Sequence, residues 1–187
     1  YMLDGYNPVI ISTPDEARHL ANATFARAFV YEKEGHKFWC LRLDDISLSY
    51  DASTQRWHQR QSYLQDTWRI NGACVAYGQT VFSDAQSGLL YTISNDVFTE
   101  NGVAILMDIY LPTIEAMRER AVMYSFELVC VTGVGTTSVT DPQVMLRYSD
   151  DNGHNWSDEM WRSLGVVGAH LTRAVWRGLG QFRQRQM

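Results

Sequence analysis

The sequence lacks the residue patterns that most chemistries need. Its three cysteines, Cys40, Cys74 and Cys130, are far apart and odd in number, with no C-x-x-C spacing. That argues against a disulfide framework and against a zinc site. Each lies within an apolar run, which reads as a buried free thiol in a reducing compartment. The five histidines show no metal-ligand spacing, and nothing resembles H-E-x-x-H. There is no G-x-S-x-G nucleophile elbow. The glycine-rich stretch Gly133-Val-Gly-Thr-Thr137 lacks the Lys-Ser/Thr of a phosphate loop and is not followed by a helical pattern, so nucleotide binding is rejected. No apolar run reaches the roughly 18 to 20 residues needed to span a bilayer. No basic-plus-apolar secretion signal opens the chain. No cofactor and no metal are expected. Acidic residues stop at Glu159.

What is present is the composition of a soluble globular protein of 187 residues, with six Trp, ten Tyr and seven Phe. That length allows one domain with a sizeable core, and the aromatics suit a β-rich interior or a large interface. The sequence begins at Tyr1 rather than Met, and the expectation is a single domain over 1–187 that forms the C-terminal part of a longer chain. Charge is divided: the first 159 residues carry −10, from 11 Lys and Arg against 21 Asp and Glu, and the final 28 carry +5. Within that basic end Arg173, Arg177, Arg183 and Arg185 are candidates for a DNA or subunit contact, against the plainer reading of an ordinary strand face with Arg162 among them.

Read in order, Thr13-Pro14-Asp15-Glu16 is a strong helix start, with Thr13 as cap, Pro14 in the first turn and Glu16 completing a capping box. Ala17, Leu20, Ala21, Thr24 and Phe25 share one face of the short helix that follows. From Phe29 the period becomes two. Strands are expected over 29–31, 36–43, 46–50 and 56–60, a four-stranded meander of about 32 residues, a plausible propeller blade. A second unit repeats the order over 73–77, 80–82 and 89–93. Further strands are expected over 103–111, 122–132, 143–148 and 171–177.

The stretch Ser149-Asp-Asp-Asn-Gly-His-Asn-Trp156 reads as a tight turn fed by the strand before it. Asp and Asn bond nearby backbone N–H groups, Gly153 supplies a positive φ, and Trp156 offers a ring to plug the turn. The spacing of Ser149, Asp151, Gly153 and Trp156 resembles the Asp-box of sialidase-like β-propellers, in which the motif is structural; Asn155 stands where Thr is usual. His36 after Gly35 resembles the Gly-His pair that ties propeller blades together, and Trp57, beside His58, belongs to the same blade. No histidine is locally arranged with a nucleophile and an orienting group. Too few arginines sit at strand starts for a sialidase-like site.

Four stretches together are similar to a known family: the helix after Ile10-Ile-Ser-Thr13; Glu34 to Trp39 with Ser49 to Arg60; Tyr77-Gly78 to Asp84 with Ser87 to Tyr91; and Val144 to Gly153, Trp161 to Gly165 and Arg173 to Gly180. In that order they resemble the C-terminal part of the packaged-DNA stabilisation, or tail accessory (hub), proteins of short-tailed bacteriophages. The resemblance implies an all-β, propeller-like fold of antiparallel meanders with one short N-terminal helix. It implies a structural, non-enzymatic virion protein, made in the bacterial cytoplasm. Its partners would be a homo-oligomer ring, the portal or adaptor, other tail proteins, and packaged double-stranded DNA passing through the channel. The acidic body suits that conduit, since like charge keeps a duplex from adhering to the wall. The competing reading is a sialidase-like carbohydrate-binding or glycoside-hydrolysing propeller, which requires a cleft with paired carboxylates.

Overall fold

The computed structural model describes residues 1–117, 119–136 and 139–187. Arg118, in the stretch 113–120 read as a helical turn or loop, and Thr137, in the glycine-rich loop, lie outside the described residues. Contacts divide the chain into two compact units, Tyr1–Met107 and Asp108–Met187.

The first unit opens with the hairpin β1 (Met2–Asp4) and β2 (Asn7–Val9), then helix α1 (Pro14–Asn22). The helix starts as its capping residues demand: the Thr13 N–H donates to Glu16 Oε2 at 2.6 Å. The face expected to pack does not, because α1 has no buried residue and Leu20 is 42% exposed. Two antiparallel sheets follow. The first runs in the order β3 (Ala26–Lys33), β4 (His36–Leu43), β5 (Ser47–Asp51), β6 (Arg56–Gln59). The second is β7 (Ile70–Ala76), β8 (Gln79–Asp84), β9 (Leu90–Thr92), and a short pair, β10 (Thr99–Glu100) with β11 (Val103–Ala104), ends the unit. The β3–β4 and β7–β8 hairpins turn on two residues each, Glu34-Gly35 and Tyr77-Gly78, all four with positive φ. That is the tight turn whose twist matches the strands, and glycine at its second position removes the Cβ penalty.

Both sheets are meanders, as expected, yet no closed propeller is present among the described residues. The reason lies in which faces meet. The register equates Phe38, Cys40 and Ser49 of the first sheet with Ile70, Ala73 and Phe82 of the second, counting from Asp51 and Asp84. Tyr31, Cys40, Ile70 and Phe82 form one core cluster, joined by Phe29, Phe38, Trp68, Ala73 and Tyr91. Equivalent faces therefore pack on each other. A ring of blades needs the front of one against the back of the next; a like-on-like contact closes after two. The back of the first sheet forms a second cluster of Leu41, Leu43, Ile46 and Leu48, covered in part by Ala23.

The second unit holds β12 (Ile114–Glu115), β13 (Ala121–Val122), β14 (Ser125–Leu128), β15 (Gln143–Leu146), β16 (Met160–Ser163), β17 (Ala174–Arg177), β18 (Gln181–Phe182) and β19 (Gln184–Arg185). The pairs β12–β19, β13–β18 and β14–β17 lie along one interrupted antiparallel ribbon, while β15–β16 makes a hairpin. Alternation in β14 and β17 turns Phe126, Leu128, Ala174 and Trp176 inward, onto Leu146, Val144 and Met160 of the hairpin. The Trp176 Nε1–H donates to the Met160 carbonyl at 2.6 Å and fixes the ring in that core. The continuous strands expected over 103–111 and 122–132 are shorter than read: Val103–Ala104 pairs in the first, and β13 and β14 in the second.

Candidate functional site

The turn 149–156 is organised by two short side chains. The Ser149 hydroxyl donates to Asp151 Oδ1 at 2.8 Å and accepts the Gly153 N–H at 2.8 Å. Asp151 Oδ1 accepts the Asn155 N–H at 2.8 Å, and Oδ2 accepts the Asn155 amide at 2.5 Å. These bonds, Asn155's backbone first, then its side chain and Ser149, hold the Asp151 carboxyl down at about 2. Gly153 has φ 83°. Trp156 is half-buried, edge-on to Tyr110 at 6.1 Å with the Arg147 guanidinium 5.8 Å from its ring. The bonds of Asp151 run to Ser149 and Asn155 of its own turn, as in a structural motif.

Two further aspartates do the same work in the first unit. Asp51, at the end of β5, accepts the Ser53 N–H at 2.9 Å, the Thr54 hydroxyl at 2.8 Å and His36 Nδ1 at 2.8 Å. Burial alone would raise its carboxyl, but Thr54, His36 and Ser53 together hold it well below the usual carboxylate range. Asp84, at the end of β8, takes the Gln86 N–H at 3.1 Å and the Ser87 hydroxyl at the same offsets, and Arg69 binds it bidentately at 3.1 and 2.5 Å. Arg69 thus occupies the place of His36, and its guanidinium is the main cause of Asp84's depressed pKa. Trp57 lies on the back of the first sheet, 5.0 Å from Tyr50, and its Nε1–H donates to the Ile11 carbonyl at 2.7 Å.

The four arginines marked as contact candidates separate. Arg185 is 1% exposed and cannot reach DNA or a neighbour: it binds Asp150 at 2.7 and 2.8 Å, donates to the Leu179 carbonyl at 2.6 Å, and stacks on Tyr148 at 4.0 Å and Phe182 at 4.5 Å. Arg173 is bound at both ends of its fork by Glu127, at 2.6 and 2.5 Å. Arg177, at the end of β17, and Arg183, between β18 and β19, are exposed. The thiols also differ from expectation: Cys40 is buried against Ser49 at 3.3 Å, while Cys74 and Cys130 are exposed.

Sequence reading missed the link between these features. Asp150, beside the motif, binds Arg185, and Ser149 pairs with Gln186 through N–H···O bonds of 2.8 and 2.9 Å. The turn therefore clamps residues 185–186 between itself and β12. Opposite charges 35 residues apart give no local signal.

The second unit is thus an antiparallel β-sandwich-type unit whose polar side chains are spent on turns and strand ends. Residues 107–187 match the family model described as Bacteriophage P22 Gp10, beta-sandwich. The match begins one residue before the second unit and covers under half of the chain. Over 107–187 that description is of a β-sandwich, where a propeller-like fold was expected. No curated protein matches the chain. Among the described residues no helix is long and apolar enough to cross a membrane.

Proposed function

We propose that the chain is a tail accessory (hub) subunit of a short-tailed bacteriophage. It assembles as a homo-oligomer ring that extends and closes the portal exit channel and so stabilises packaged DNA. The family match over 107–187 supports the virion role. The observation that carries the assembly is exposed area. A compact monomer of this mass exposes about 9,000 Å², and two separate units of these lengths about 11,000 Å²; the chain exposes 13435 Å². Large apolar side chains contribute to it in both units, including Tyr6, Leu64 and Val75 in the first and Val129, Val131 and Leu171 in the second. Where such exposed apolar side chains adjoin, they suit protein contacts. The proposal assigns the chain no catalysis. Of the arginines, Arg177 and Arg183 remain as candidates to meet DNA or a neighbouring subunit.

Electron microscopy of the purified chain tests this directly. Ring-shaped particles with an axial channel wide enough for a duplex are the expected result, and dispersed particles of single-chain size would oppose it. Turnover of fluorogenic glycosides above background would favour the carbohydrate reading instead.

A further inference from the structure

The inner face of the first sheet ends in a row of arginines. Arg27 lies opposite Arg42 across β3–β4, and Arg42 lies opposite Ser47 across β4–β5. Just past β6, the Arg60 N–H donates to the Ser47 carbonyl at 2.8 Å. With about 4.8 Å between neighbouring strands, the three arginines fall on one line roughly 14 Å long. Alternation puts this line on the face of Phe29, Tyr31, Phe38 and Cys40, beside the core shared with the second sheet. Ser47, in the middle of the row, is buried and accepts the Trp68 N–H at 3.0 Å. The Arg60 guanidinium lies 5.6 Å from the Phe38 ring and 5.8 Å from the Trp68 ring, and its Nη2 donates to the Tyr31 hydroxyl at 3.4 Å.

Like charges directly opposite each other in a sheet are destabilising, so Arg27 against Arg42 needs a reason. Pairing within the unit does not supply it. Among the described side chains none of the three forms an ion pair, whereas Arg69, Arg173 and Arg185 each bind a carboxylate. The Nε atoms of Arg42 and Arg60 are shielded from solvent and have no acceptor, an arrangement rare in native structures. The acids at this end of the sheet are engaged elsewhere. Asp44 accepts the Thr24 and Phe25 N–H groups, Asp45 binds His19, and Glu100 accepts the Trp68 Nε1–H. Guanidinium forks beside aromatic rings suit bidentate binding of an oxyanion.

We propose that this row is a docking site for an acidic segment of another protein chain, whose carboxylates seat on Arg27, Arg42 and Arg60. A carboxylate suits the place better than a phosphate backbone. Asp44, Asp45 and Glu100 stand at the same end and oppose the approach of a continuous polyanion. Arg42 and Arg60 are half-buried, which suits a slender side chain rather than the broad face of a duplex. The site stands whether or not the chain forms a ring.

The test uses the full chain and a fluorescein-labelled peptide of alternating Asp and Ser, followed by fluorescence polarisation. Inorganic phosphate and single-stranded oligothymidylate serve as competitors. The expected result is binding that weakens with salt and falls about 10-fold or more in Arg27→Gln and in Arg42→Gln. It is expected to be unchanged in the double variant Arg177→Gln, Arg183→Gln, whose arginines are exposed in the second unit. Arg27 is exposed and makes no side-chain bond among the described residues, so Arg27→Gln is expected to keep the fold, checked by Trp fluorescence. Arg27→Glu sets opposite charges across β3–β4, and it is expected to raise the midpoint of thermal unfolding while abolishing binding. An intact chain that does not bind the peptide overturns the proposal. So does affinity that is unchanged in Arg27→Gln, Arg42→Gln or Arg27→Glu, or displacement by phosphate or oligothymidylate at lower concentration than by unlabelled peptide.

Discussion

Arg185 illustrates how a surface-type residue becomes structural. Its fork binds Asp150, its Nη1 donates to the Leu179 carbonyl, and its guanidinium lies against two rings, so its charge is compensated while it sits 1% exposed. Arg185→Ala empties a buried slot between two rings and removes the tie to Asp150 and Leu179, and is expected to cost about 3 kcal/mol in urea denaturation. Arg183→Ala, at an exposed position two residues earlier, is expected to stay within about 0.5 kcal/mol. The titrating groups give two opposite pH limits. Asp151 is lowered from 3.8 to about 2, so its bonds contribute fully above pH 4 and are lost as pH falls through 2. Asp51 and Asp84 are lowered as well and act in the same direction. Acid unfolding followed by Trp fluorescence should therefore begin below pH 4, and Asp151→Asn should flatten that part of the profile. Tyr31 is raised from 10.0 to about 12, chiefly by burial, with Arg60 opposing. Its neutral phenol contributes fully below pH 10, and that contribution is lost as pH rises through 12. Absorbance titration should find one tyrosine ionising late, together with unfolding of the first unit.

At the level of elements, the longer strands with strict alternation were readable, and the two-residue strands were not. The β4–β5 pairing follows from Phe38 and Cys40 alternating with Trp39 and Leu41, and Asp51 closes the turn between β5 and β6. The Asn101-Gly102 turn between β10 and β11 has positive φ at both residues, a strong hairpin signal masked by the apolar run after it. The C-terminal ribbon was hidden because β18 and β19 are two residues each and pair with segments some 60 to 70 residues earlier. Of the candidate site, the bonds of Asp151 and His36 could be anticipated from spacing. The burial of Arg185 could not, since its partners come from three separate segments. The propeller expectation failed at the same scale: counting strands gives blades, but which faces meet depends on contacts between sheets. Phe82 sits where the two equivalent faces touch, 1% exposed, and edge-on to Tyr31 at 5.1 Å. Phe82→Ala should cost about 3 to 5 kcal/mol by denaturant titration, whereas Val75→Ala, on an exposed part of β7, should cost little.

For the whole molecule, the account holds that this chain is built to be covered by others. Its turns and ion pairs are satisfied within each unit, while its apolar surface is not. Exposed apolar area of this extent is enough for interfaces of standard size, although area alone does not set their affinity. The acidic first 159 residues and the exposed Arg177 and Arg183 add a charge pattern for the same assembly. The most direct measurement is the mass of the purified chain by sedimentation over a range of concentrations. The account predicts a discrete multiple of 21.4 kDa that persists at high salt, since apolar burial rather than charge holds it. A single species of 21.4 kDa at every concentration would contradict it.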